Sequence, residues 1–175
     1  LSSQFSKSVG KTLVIDNKGG AGGTLGASYA ARQPHDGYTF FMGGTHHVIA
    51  PSVYPKLDYD IQKDLIPLAL LATVPQVVVV NPKKVTANTM QELIAQIKAN
   101  PGKYSFASPG TGSLGHANIE NFMNLAGIQL LHIPYKGAGQ AITDALGGQV
   151  NAMTDNLPST LPHIKAGQLR PLAVL

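Results

Sequence analysis

Lys103-Tyr104-Ser105-Phe106-Ala107-Ser108-Pro109-Gly110-Thr111-Gly112-Ser113-Leu114-Gly115-His116 is the stretch that decides the architecture. Residues 103–108 read as a strand, the glycine-rich centre as a turn, and residues 113–126 as a helix stopped by Gly127. Strand, glycine turn and helix in that order make the repeating unit of an α/β protein. The same scheme continues downstream: a strand at 128–133, a helix at 137–146, a strand at 150–154, a helix at 158–166 and a strand at 169–175. In the second of these helices Ala138, Ala141, Ile142, Ala145 and Leu146 share one face ahead of Gly147-Gly148. Asn156 is placed to cap the last helix, with Pro158 near its start.

Upstream, Thr89-Met90-Gln91-Glu92 has the form of a capping box, and the helix it opens carries Met90, Leu93, Ile94 and Ile97 on one side before Pro101-Gly102 ends it. Earlier still we expect a strand at 12–16, a helix at 24–32, a strand at 38–43 and a short helix at 47–54. The apolar run 65–80 is long enough for two strands or one strand crossing between lobes, with the bend and a hinge at Val74-Pro75. The alternation predicts an α/β protein with a largely parallel sheet.

Composition narrows the partners. Thirteen Lys and Arg against nine Asp and Glu give a net charge of +4, but the basic residues are scattered, with little aromatic interleaving, so no nucleic-acid partner is expected. With no cysteine there is neither a disulfide frame nor a thiolate metal site. Pro67, Thr73, Pro75 and Gln76 interrupt the longest apolar run, which argues against direct membrane insertion. The chain starts at Leu1 rather than Met, Leu1 to Phe5 resembles the middle of an amphipathic helix, and Leu175 lies in a strand-like run; we therefore expect further sequence at both ends.

Chemistry concentrates at two glycine-rich turns, Gly19-Gly20-Ala21-Gly22-Gly23-Thr24 and 108–116. A helix start offers unpaired amides and partial positive charge, and glycine lets that backbone approach an anion closely. The plainer reading is that the glycines only permit tight connections. Gly110, Gly112 and Gly115 also match G-x-G-x-x-G, so a dinucleotide site is a rival. The ribose-binding acid such a site wants is missing near Ile133-Pro134-Tyr135-Lys136, which leaves Lys136 to meet a ribose phosphate and an NADP-binding Rossmann-type oxidoreductase as the alternative. The first turn lacks the Gly-Lys-Ser/Thr ending of a P-loop, and no G-x-S-x-G elbow exposes a nucleophilic serine.

His46-His47 with His116 lack metal-ligand spacing, and His132 and His163 read as packing or surface residues. Asp155-Asn156 ends a strand and starts a helix, where open α/β sheets place ligand contacts, although capping is the commoner role. Lys136 is placed to pair with a carboxylate or simply to be solvated. No metal or cofactor is expected, and Asp58-Tyr59-Asp60 reads as a solvated loop.

Seven phrases then occur in order: Asp16-Asn17-Lys18-Gly19-Gly20-Ala21-Gly22-Gly23, Asp36-Gly37-Tyr38-Thr39, Pro51-Ser52-Val53-Tyr54, Ala99-Asn100-Pro101-Gly102-Lys103, His132-Ile133-Pro134-Tyr135-Lys136-Gly137, and Leu146-Gly147-Gly148-Gln149-Val150 with Asp155-Asn156-Leu157-Pro158-Ser159. Over nearly the whole chain they resemble the Bug/TctC receptors, the extracytoplasmic binding subunits of tripartite tricarboxylate transporters. The resemblance implies a type II periplasmic-binding-protein fold: two α/β lobes with a hinge, here 1–74 with 168–175 as a partial first lobe and 75–167 as the second. It implies a periplasmic, non-enzymatic protein that binds a small mono- or dicarboxylate and works with membrane subunits of a transporter. Carried onto this chain, the contacts are Gly44, Thr45 and His46 after the strand 38–43, Ser108, Thr111, Gly112, Ser113 and His116 at the second turn, and Lys136 with Asp155 at the cleft edge. Such receptors normally open with a strand and a ligand-gripping loop that would precede Leu1, and Asn17-Lys18 stands where Asn-Arg is usual. A degenerate fragment that binds no solute is the remaining alternative.

Overall fold

Five short strands form one mixed sheet in the computed structural model, which describes residues 2–175. They are β1 Gln76–Val80, β2 Ser105–Ser108, β3 Leu131–Pro134, β4 Ala152–Asn156 and β5 Arg170–Val174, in the order β3-β2-β4-β1-β5. The helices are α1 Ser2–Val9, α2 Thr24–Ala31, α3 Thr45–Val53, α4 Met90–Ala99, α5 Leu114–Ala126, α6 Ala138–Gly147 and α7 Leu157–Lys165, with a single 3₁₀ turn, Ala21–Gly23, leading into α2. The expected helical start at Leu1 lies outside the described residues.

Side chains alternate across the sheet, so each strand feeds two cores. On one face Val80, Phe106 and Ala152 pack with Leu93 and Ile97 of α4 and Ile119 and Met123 of α5. On the other, Val77, Val79, Ala107 and Met153 pack with Ala141 and Ala145 of α6 and with Leu169, while Leu157 and Ile164 of α7 close the edge. Covered on both faces, β1 is buried at all five positions, which is why its sequence is a continuous Val run rather than an alternation.

Local signals hold where they were strongest. Thr89 Oγ1 accepts from the Glu92 amide at 3.2 Å, while the Glu92 carboxylate reaches back to the Asn88 amide at 2.7 Å, one residue short of the reciprocal cap bond. Gly127 takes the left-handed conformation, and the Ile128 amide donates to the Met123 carbonyl at 3.1 Å, closing α5 in a Schellman manner.

Three expectations change. The sheet is not largely parallel: β2 pairs in parallel with β3 and β4, but β1 runs antiparallel to both β4 and β5. β1 arrives from the 1–75 segment and inserts in the opposite sense between two strands that the α7 connection would otherwise leave adjacent. Residues 170–174, expected with the first lobe, are hydrogen-bonded to β1, and Leu169 beside them is buried in the core shared with α6. Finally, 12–16, 38–43 and 65–74 form no ladder, and Val14, Ile66 and Leu70 are 83%, 84% and 84% exposed. Strand propensity is realised only where a neighbouring edge takes the backbone N–H and C=O groups, and among the described residues none faces these runs.

Candidate functional site

The turn after β2 needs glycine at two positions. Gly110 and Gly112 have φ of 147° and 76°, in the range that disfavours any side chain. Ser113 caps α5, its Oγ accepting from the His116 amide at 3.2 Å, and the Ser113 amide turns back to the Gly110 carbonyl at 3.1 Å. Gly115 seats the helix against the sheet: a β-carbon there would lie 2.6 Å from the Thr154 carbonyl oxygen of β4.

The first glycine turn meets this one directly. A β-carbon on Gly22 would stand 2.5 Å from the Thr111 carbonyl oxygen and 3.3 Å from Ser113 N, and one on Gly110 would stand 3.2 Å from Gly22 N. Tyr54, just past α3, donates its hydroxyl to the Thr111 carbonyl at 2.6 Å. The start of α3 joins from the other side, with the His47 Nε2 3.3 Å from the Gly23 carbonyl and the His46 ring closing on Gly23. Thus the N-termini of α2, α3 and α5 converge on Gly22 and Gly23, all presenting amide-rich, positively polarised backbone.

Most of the expected site residues lie at this junction. Gly44 caps α3, its amide donating to His47 Nδ1 at 3.0 Å, with Thr45 exposed beside it and the His46 ring tilted 42° against His47 at 3.9 Å. Thr111, Gly112, Ser113 and His116 line the opposing turn, and the main chain of Lys136 passes 3.3 Å from a β-carbon position on Gly19, with its side chain exposed. Two residues are placed differently from expectation. Ser108 is fully buried and spends its hydroxyl on Gly110 and His132, and Asp155, 2% exposed, lies inside the sheet opposite Val77 with Oδ2 unpartnered. A strand end points its last side chains alternately into the two cores, and both residues fall on inward positions. Gly22, Tyr54 and His132 are not among the expected contacts, although all three lie inside the quoted phrases, and the sequence reads His132 as a packing or surface residue.

Burial is the main electrostatic influence. It pushes His46 and His132 down to about 4, aided in each case by a neighbouring histidine, His47 and His116 respectively. His47 is also lowered by burial, against the opposing hydrogen bonds to Gly23 and Gly44, and burial raises the Asp155 carboxyl. Above pH 6.5 these rings are neutral whether folded or not. As pH falls from 6.5 toward about 4, the unfolded chain binds protons that the folded chain refuses, so stability is lost across that window and levels off below it. Asp155 acts in the opposite sense, favouring the folded state as it protonates. We expect thermal unfolding followed from pH 8 to 4 to show Tm falling mainly below pH 6.5, by several degrees; a constant Tm would contradict the lowered proton affinity of these partly desolvated rings.

Among the described residues no three His, Asp or Glu side chains could hold a metal ion, and no helix is long and apolar enough to cross a membrane. A family model for the tripartite tricarboxylate transporter family receptor (TctC) matches residues 1–175. BugT of Bordetella pertussis is 40% identical over 170 residues, 96% of this chain and 52% of that protein, so the chain spans about half the length of the curated relatives it matches. A Rhodopseudomonas palustris protein solved with adipate superposes with a TM-score of 0.94 at 34% identity, over 99% of this chain and 58% of that one. MatC from Rhodopseudomonas palustris with bound malate gives 0.90 at 28%, over 99% and 59%. The oxidoreductase alternative is overturned, since the family consists of receptors rather than enzymes. With the whole sequence matched and the fold shared with the periplasmic binding protein BugD, the chain belongs to the TctC family of tripartite tricarboxylate transporter receptors.

Proposed function

We propose that this chain works as an extracytoplasmic receptor that captures a small mono- or dicarboxylate and delivers it to the membrane subunits of a tripartite transporter. The observation that supports it most is the convergence of three helix starts on Gly22 and Gly23, where glycine backbone from two separate turns comes into contact. Such a junction suits a group with negative charge spread over two oxygens, because amides and helix dipoles stabilise the anion without needing a counter-charge. Adipate and malate, seen with two related structures, are small dicarboxylates of this kind.

In this reading the anion docks on the turn at 110–113 and the start of α3 folds over it, with Gly44, Thr45, His46, Thr111, Ser113 and Lys136 at the rim. The hinge lies at Val74-Pro75, where the chain enters β1, separating 1–74 from the sheet-bearing lobe. Closure is favoured only so far as both sides touch the ligand, which assigns the Tyr54 to Thr111 bond the part of a latch. Calorimetric titration of the purified protein with adipate, malate and a panel of monocarboxylates tests this. Saturable binding of at least one acid is the expected result. Silence across the panel would favour a chain that has lost solute binding.

A further inference from the structure

His132 enters the structure in an unexpected way. It sits on β3 opposite Phe106 of β2, its ring stacked on Phe106 at 4.7 Å and 16° and, on its other side, on His116 of α5 at 4.1 Å and 17°. Its Nε2 lies 2.7 Å from the Oγ of buried Ser108. That hydroxyl also accepts from the Gly110 amide and donates to the Gly110 carbonyl, both at 3.2 Å. A serine hydroxyl has one proton and two lone pairs, so all three contacts are satisfied together only if His132 carries its proton on Nε2 and donates. His116 completes the support: its Nδ1 accepts from the Gly112 amide at 3.2 Å, which places its own proton on Nε2, 3.4 Å from Glu120 Oε1. Two stacked imidazoles therefore hold the two left-handed glycines of the turn, one through Ser108 and one directly.

We propose that His132 is a positioning residue for the anion-binding turn: bonded to Ser108 and clamped between Phe106 and His116, it fixes the backbone at Gly110 and Gly112, whose own amides are bonded to Ser108 and His116, and so sets the shape the turn offers a ligand. The proposal rests on the carboxylate-receptor reading, but its geometric part concerns the ligand-free turn alone. An aromatic residue would fill the same space between Phe106 and His116, so packing alone does not call for a ring nitrogen. The nitrogen has a use because Ser108 is fully buried, where a hydroxyl completes its bonds with protein groups.

The test separates the nitrogen from the ring. His132→Phe keeps the stack and removes the donor, His132→Gln keeps an N–H at similar reach, and Ser108→Ala removes the acceptor. Amide exchange of the ligand-free protein, referenced to β1 amides, should show Gly110 and Gly112 exchanging about 10-fold faster in His132→Phe, with protection largely recovered in His132→Gln. Adipate or malate, whichever binds the unaltered protein, should bind about 10-fold more weakly to His132→Phe, and adding Ser108→Ala should cost little more, since both remove one bond. Unchanged exchange at Gly110 in His132→Phe overturns the proposal, as do additive losses in the double variant. If the unaltered protein binds no acid, the carboxylate reading falls, while the exchange arm still decides whether His132 positions the turn.

Discussion

Gly112→Val should lower carboxylate affinity by about 100-fold or more while leaving the β-sheet core folded. The residue has φ of 76°, where a side chain costs roughly 1–2 kcal/mol and a β-branched one more. Its β-carbon would stand 2.9 Å from Tyr54 Cε2 and 3.3 Å from Val53 Cγ1, so the end of α3 must retreat. Retreat breaks the Tyr54 to Thr111 hydrogen bond, a further loss of about 1 kcal/mol. Together these come to about 3 kcal/mol, which is the predicted factor. Combining it with Ser113→Ala removes the N-cap of α5 as well and should abolish binding. Calorimetry on variants whose far-ultraviolet circular dichroism is unaltered is the measurement. Wild-type affinity in the double variant would show that the ligand is held elsewhere.

Gly115→Val should have the largest effect on stability. Glycine here has no conformational need, since it sits in the first turn of α5 with ordinary helical backbone; its need is space. The added β-carbon would lie 2.6 Å from the Thr154 carbonyl oxygen and 3.4 Å from Pro109 Cδ, and neither a central strand nor a proline ring can yield as a flexible side chain can. Overpacking of this kind typically costs about 1–3 kcal/mol, with the upper end expected where the obstacle is backbone. For a chain of this length that corresponds to a Tm lower by roughly 5–10 °C. Gly139→Ala, in the first turn of α6 with no atom near its β-carbon position, should be neutral or slightly stabilising in the same assay. If both variants melt together, close seating of α5 on β4 is not what Gly115 provides.

How much was legible depended on whether a signal was local. The Thr89 cap, the stop at Gly127, the apolar stripe of α6 and the two glycine turns were each written within a few residues, and each formed where expected. The candidate site was legible as residue types in the right loops, because glycine beside a helix start announces a backbone that something must approach. It was not legible which of those residues face the junction: Ser108 and Asp155 carry suitable chemistry but fall on inward positions of their strands. His132 looked like filler because its partners, Phe106, Ser108 and His116, lie 16 to 26 positions away and are brought to it only by pairing of β2 with β3 and by α5 folding back.

The sequence by itself determined the elements from 76 onward, the glycine turns and, through phrases in register, the family. Tertiary structure alone decided that β1 inserts antiparallel between β4 and β5, that residues 170–174 join this sheet, and that the strand-like runs 12–16, 38–43 and 65–74 stay unpaired. It also decided that the two glycine turns touch at Gly22. The physical reason is the same throughout: a cap or a helix is closed by bonds between residues three or four apart, whereas a strand or a site exists only when distant backbone arrives to share its hydrogen bonds.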